Sequence, residues 1–272
     1  MAPLPTGELV AADAYLDLAP RIDSDLVETD AFRLFLSRAP WPYYARPRSD
    51  LKRSLWTEDI AEVLARFGDA GVDPALEWIA EVRPELARMA AVSGWSVTTH
   101  PLMVADPARV ESPDPAPATL RVLDPLEDAV VAARAVAEVS FEAGGTDPGG
   151  EGPAHRDRAA AALAPGLAAH LRYRLLSGAS VTAVAELPGE GVVATATYHP
   201  VGDTAEVLAV ATLPSARRRG LAGALTALLA RHAGGHGVTT LLLTAQGPRV
   251  ARLYASVGFR RLGTACAAQR AL

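Results

Sequence analysis

The sequence predicts an α/β protein of two domains in tandem, each a sheet flanked by helices. Three observations carry that reading. EVLAVATLPSARRRGLAGALTALLARHA, residues 206–233, runs from a short apolar strand through a basic turn into a helix, and a second apolar strand follows at Thr240–Ala245. PELARMAAVSGW, from Pro84, matches PRVARLYASVGF, from Pro248, at Pro, Ala-Arg, Ala and Gly, so the first half reads as a diverged copy of the second. Residues 106–118, DPARVESPDPAPA, are proline-rich and polar, as a linker is. The expected division is 1–110, a linker at 111–118, and 119–272.

The elements follow in order. Residues 1–20 carry no pattern that assigns an element. Residues 25–56 hold short apolar segments and the aromatic, basic run Trp41–Arg48, either a packed loop or the lining of a groove. Asp59–Phe67 reads as a helix, with Thr57 as its cap and Ile60, Val63, Leu64 and Phe67 on one face. Ala75–Ala80 reads as a strand, Pro84–Val92 as a helix with proline in its first turn, and Ser96–Ala105 as an alternating strand. After the linker come a strand at Thr119–Val122 and a helix at Pro125–Phe141. The glycine-rich stretch Gly144–Arg158 reads as flexible, and Ala159–Leu176 as a second helix. Val181–Glu186 and Gly191–Pro200 form a hairpin that feeds the strand Glu206–Leu213.

Composition narrows the function. A net charge of −5 and a pI near 5.7 exclude a general nucleic-acid binder, so the arginines Arg217–Arg219 form a local site. The single cysteine, Cys266, excludes an intramolecular disulfide and reads as a small core residue, and no Cys/His spacing suits a metal. No secretion signal and no long apolar run is present, so a soluble cytoplasmic protein without a membrane partner is expected. The arginine- and alanine-rich composition suggests a bacterial source.

The turn carries the chemistry. A helix N-terminus offers backbone N–H groups without intrahelical partners and a dipole that favours anions. Gly220 and Ala222 leave those groups open to a phosphate, and Arg217, Arg218 and Arg219 add positive charge. Arg217-x-x-Gly220-x-Ala222 resembles the (Gln/Arg)-x-x-Gly-x-(Gly/Ala) signature of the GNAT superfamily of acyl-CoA-dependent N-acyltransferases. ARLYASVGF, Ala251–Phe259, resembles that family's last helix with its Tyr and closing Gly-Phe. The resemblance covers residues 119–272 and implies a GNAT-like, mixed but mostly antiparallel central sheet.

It also implies roles. Acetyl-CoA is the expected co-substrate, with its pyrophosphate on the N–H groups from Arg218 through Leu221 to Ala222. The pantetheine arm would lie along Val210, Ala211 and Thr212, and the N–H of Val210 or Ala211 would polarise the thioester carbonyl. Tyr254 is the expected general acid; the same residue also reads as a core aromatic. Glu206 is the candidate base, with His199 a second. Glu142, Asp147, His155 and Arg156 stand where the family covers its acceptor, or are solvated loop residues. Gly247 replaces an Asn common in the family. No metal is needed.

In the first copy, Ala90 stands where Tyr254 stands, and RSLWTE, Arg53–Glu58, stands where RRRGLA stands. That copy is expected to lack both the cofactor turn and the acid. The expected function is transfer of acetyl from acetyl-CoA to a primary amine of a small molecule, by a monomer or homodimer. The rivals are a non-catalytic acyl-CoA-binding or sensing protein and a protein N-acetyltransferase.

Overall fold

A computed structural model describes residues 6–113 and 117–270; residues 114–116 of the expected linker lie outside it, as do 1–5 and 271–272. The elements are α1 (Gly7–Leu18), β1 (Ser24–Glu28), β2 (Phe32–Ser37), β3 (Ala45–Pro47), α2 (Thr57–Ala70), β4 (Ala75–Ile79), α3 (Leu86–Val92) and β5 (Ser96–Ala105). They continue with β6 (Thr119–Val122), α4 (Ala129–Glu142), α5 (Pro153–Ala162), α6 (Pro165–Leu176), β7 (Val181–Leu187), β8 (Gly191–Val201) and β9 (Thr204–Thr212). The last are α7 (Leu221–Gly235), β10 (Thr240–Thr244), α8 (Pro248–Ser256) and β11 (Arg260–Gln269). No helix among the described residues is long and apolar enough to cross a membrane.

The chain forms two compact units that are not contiguous in sequence. The first takes residues 1–103, 244–251 and 261–272. Its strands run in the order β1-β2-β3-β4-β11-β5. β3 and β4 are parallel, whereas β1/β2, β2/β3 and β4/β11 are antiparallel. Its core gathers Phe32, Leu34, Ile60, Val63, Phe67, Trp78 and Trp95 with Cys266 and Ala268 from β11. Beside this apolar core lies an ionic network. Arg46, fully buried, donates to Asp13 at 2.5 Å, and Arg33 bridges Asp17, Glu28 and Asp50. Arg33 is thus compensated by three carboxylates, whereas Arg46 has one, and its buried Nε and Nη1 find no hydrogen-bond partner among the described residues.

The second unit takes residues 104–243 and 252–260, with its strands ordered β10-β9-β8-β7-β6. β9/β10 is parallel and the other pairs are antiparallel. Val192–Thr197 of β8 are buried except for Thr197, so both faces of the sheet are covered. α4 and α7 both pack on β8 and β9. α7 buries a near-continuous surface of Leu221, Ala224, Leu225, Ala227, Leu229 and Ala230. Its small residues permit close approach to the strands.

Several elements differ from expectation, each for a local reason. α4 begins at Ala129 and not Pro125, because a turn precedes it: the Leu126 N–H donates to the Asp124 carboxylate and the Asp124 N–H to Glu127. The helix expected at Ala159–Leu176 is two helices, since Pro165 cannot sit inside one and starts α6 instead. α5 reaches back to Pro153, so the latter part of the stretch read as flexible is helical. The start of α2 is fastened by Asp59, which accepts from the Trp56 N–H at 2.7 Å; Thr57 is its first residue and not its cap.

Candidate active site

The site is built where β9 parts from β10. β9 pairs with β10 only at Thr204–Glu206, opposite Thr240–Leu242. From Val207 to Thr212 that edge of β9 carries no ladder pairing with β10 among the described residues. On its other edge β9 pairs with β8 but with a break in register. Leu208 faces Thr197 and Ala211 faces Thr195, so Ala209 and Val210 both oppose Ala196. This is a β-bulge, and Ala209 takes a φ of 51° within it. A bulge leaves a residue outside the ladder and re-aims its backbone groups. Val210 and Ala211, the residues expected to polarise a carbonyl, lie in it or directly after it.

The strand then runs into the basic turn. A short 3-10 turn at Pro214–Ala216 precedes the arginines, and Gly220 caps α7 with a φ of 76°. That left-handed conformation favours glycine. Arg218 takes the same conformation at φ 68°, which costs a non-glycine residue about 1 kcal/mol or more. Ala224 donates to the Gly220 carbonyl at 3.1 Å, so the N–H groups of Leu221, Ala222 and Gly223 precede the first helical bond. Gly220, Arg218 and Arg219 are exposed and Ala222 is half-buried.

Arg217 has a different place from its two neighbours. Its guanidinium donates to the carbonyls of Thr212, Ser140, Gly144 and Asp147 at 2.9–3.3 Å. It therefore fastens the end of α4 and the following loop to the turn, and only its backbone is left to face a phosphate. The same loop is held further by Gly149 donating to Pro214 and Ser215 donating to Glu151. A cleft of about 290 Å³ opens beside Gly220, between Gly223, Leu253, Ser256 and Val257 and the segment Glu111–Pro113.

Tyr254 lies on α8, is 7% exposed, and sets its ring edge-on to Phe259 at 5.9 Å. Burial pushes its phenol above the ordinary value, so the hydroxyl stays protonated. A buried neutral phenol is a proton donor and not a base. Glu206 and His199, named separately from the sequence, are direct cross-strand partners on β9 and β8, and both are half-buried.

The loop residues divide. Arg156 donates to the carbonyls of Glu190 and Val192, and His155 accepts from the Gly152 N–H, so both brace α5. Glu142 is exposed at the end of α4, and Asp147 contributes the carbonyl that Arg217 holds. Gly247 has a φ of 154° just before α8. No group of three or more metal-ligating side chains exists among the described residues.

The stretch Arg53–Glu58, which the sequence comparison sets against the basic turn, has its backbone donors held internally. Asp59 accepts from the Trp56 N–H at 2.7 Å and pairs with both terminal nitrogens of Arg53, and Glu85 accepts from the Leu55 N–H. The Arg53 guanidinium lies 4.2 Å over the Trp56 ring. Two internal carboxylates thus hold the N–H groups of Leu55 and Trp56. Ala90, in Tyr254's place, is fully buried.

The bulge and the parting of β9 from β10 were not legible beforehand, since EVLAVAT reads as an ordinary strand without a glycine at the break. Arg217's internal role was equally hidden, because its partners are carbonyls some seventy residues away in the chain.

Residues 154–259 match the acetyltransferase (GNAT) family. Among solved structures, a GCN5-related N-acetyltransferase from Kribbella flavida is similar over 97% of this chain and 96% of its own, at 19% identity and a TM-score of 0.73. One from Sphaerobacter thermophilus is similar over 99% and 95%, at 16% identity and 0.53. A tandem GNAT protein from the clavulanic acid biosynthesis pathway is similar over 88% and 78%, at 14% identity and 0.55. At these identities the likeness is one of fold. No curated protein matches the sequence.

Proposed function

Residues 154–259 are a domain of the GNAT acetyltransferase family, whose co-substrate is acetyl-CoA, and on that premise we propose that the chain moves acetyl to a primary amine of a small molecule. The observation that carries the reading is the continuity of three features on one strand: the unpaired edge of β9, the bulge at Ala209–Val210, and the turn into α7. An acyl-CoA is a long ligand with amides in its arm, a thioester at one end and phosphates at the other. It needs these three things in this order.

In this reading the pyrophosphate sits on the N–H groups from Arg218 to Ala222, with the Arg218 and Arg219 side chains free to swing onto it. The pantetheine amides pair with β9 at Val210, Ala211 and Thr212 as an added strand would. The N–H of Val210 or Ala211 donates to the thioester carbonyl, where negative charge develops as the amine attacks. Glu206 places negative charge on the acceptor side of the site. Tyr254 gives its hydroxyl proton to the departing thiolate. Because Arg217 anchors the loop after α4, the site has a fixed neighbour that suits a compact amine better than an extended peptide. Residues 1–110 are read as a copy without a cofactor turn, with 111–118 joining them to 119–272.

Calorimetric titration with acetyl-CoA, followed by thiol release across a panel of primary amines, tests this. Binding with turnover on small amines is expected. Binding without turnover on any amine or peptide leaves a sensing protein, and turnover on peptides alone leaves a protein N-acetyltransferase.

A further inference from the structure

Transfer to an amine requires that the acceptor first lose a proton. A primary amine is mostly ammonium at neutral pH, and a lone carboxylate is a weak base for it. β8 and β9 offer a second group. In their register His199 stands directly opposite Glu206, so the two Cβ atoms lie on one face of the sheet about 5 Å apart. The face is decided by a neighbour. Tyr198 sends its hydroxyl to His232 of α7 at 3.0 Å, so Tyr198 points to the α7 side and strand alternation turns His199 to the other. Val207, opposite Tyr198, is buried on the α7 side, and Glu206 alternates with it.

The pair also sits at the right place along the strand. Glu206 is the last β9 residue that β10 holds, and the unpaired edge begins at the next residue. The bulge lies three residues on, about 10 Å along the strand. An acceptor amine bridging that distance would put one end at the pair and the nitrogen near the thioester, with water completing the path.

We propose that His199 is the base of the transfer and that Glu206 is its positioning residue. The proposal rests on the acetyltransfer reading. The His199 ring takes a proton from the acceptor ammonium through water, and Glu206 stabilises the imidazolium that results. The freed amine attacks the thioester carbon; the C–N bond forms, the C–S bond breaks, and the thiolate takes the Tyr254 proton. The nitrogen's second proton restores Tyr254, and His199 returns its own to solvent, so the protons balance.

Leu242 flanks Glu206 on β10, and Ser180 precedes the β7 residue that pairs with Tyr198. α4 carries Arg134, Glu138 and Glu142; the first two pair with each other at 3.6 Å. α5, which packs on β8, carries His155, Arg156, Asp157 and Arg158; Arg156 pairs with Asp157.

The test combines ring titration with a rate profile. NMR of the six histidines of the full chain, with His199→Gln as the assignment, follows the His199 ring against pH in the wild type and in Glu206→Gln. The ring pKa is expected to fall by roughly one unit when the carboxylate is removed. With the best amine of the panel, kcat/KM of the wild type should lose activity on the acid side at the ring's own pKa. His199→Gln should lower kcat/KM roughly 100-fold and abolish that limb, and Glu206→Gln should move it to lower pH. Acetyl-CoA affinity, unchanged in both variants, shows that they fold. A ring titration indifferent to Glu206→Gln, or an acid limb that survives His199→Gln, overturns the proposal while the transfer reading stands. A wild type that acetylates no amine sinks both.

Discussion

Tyr254 and Cys266 are each shielded from water, and each reports that shielding differently. Burial raises the Tyr254 phenol above its ordinary value of 10.0, so the neutral form persists and no activity is lost to its ionisation as pH rises from about 8 to 10. Tyr254→Phe is expected to cut turnover roughly 10²–10⁴-fold, with acetyl-CoA affinity nearly intact; a variant with wild-type turnover would remove Tyr254 from the chemistry. The Cys266 thiol is pushed up to about 11, first by burial and then by the charge of Glu81. The thiolate is the reactive form, so Cys266 should resist iodoacetamide at about pH 8 until the protein unfolds. Rapid labelling of the native protein would contradict its place in the core. Both residues could be singled out from type and position, yet not their surroundings. Tyr254 followed by Gly-Phe marked a helix end, whereas nothing in ACAAQ announced a strand.

At the scale of elements, the bulge and the turn are where backbone conformation matters most. Ala209 sits at φ 51°, which glycine adopts freely and a β-branched residue does not. Ala209→Val should therefore lower stability by about 1–2 kcal/mol and weaken acetyl-CoA binding, while Ala209→Gly should do neither; thermal melts and calorimetry separate the two. Equal affinity in both variants would detach the bulge from the cofactor. Gly220 sits at φ 76°, a backbone conformation that residues with a Cβ rarely adopt, and a bulky side chain there would stand over the turn's N–H groups. Gly220→Trp should therefore block the phosphate turn, and unchanged affinity would sink that assignment. Periodicity found α7 and the strand before it because their apolar faces repeat locally. It could not find the break between α5 and α6 or the parting of β9 from β10, which depend on what packs beside them.

At the scale of the whole molecule, β11 belongs with the first unit. Cys266 pairs with Trp78 of β4, and Ala268 joins the same core. Removing the chain after Phe259 should therefore unfold the first unit. All four tryptophans, Trp41, Trp56, Trp78 and Trp95, lie in that unit, so the loss should appear as a red-shifted emission. An unshifted spectrum would mean that β11 is dispensable there. Since Asp59 and Glu85 already hold the donors of Leu55 and Trp56, one acetyl-CoA per chain is expected, and two would revive the first copy.

By itself the sequence determined the strand–turn–helix run, and it singled out the internal resemblance between the halves and the candidates Gly220, Tyr254 and Glu206, because each is written in local spacing or residue type. Only the tertiary structure decided that Arg217 is a clamp, that Ala209 breaks the ladder, that Glu206 faces His199, and that β11 is paired with β4. Those depend on hydrogen bonds and strand register between distant segments. A register shift of one residue would reverse each facing without changing a single letter of the sequence.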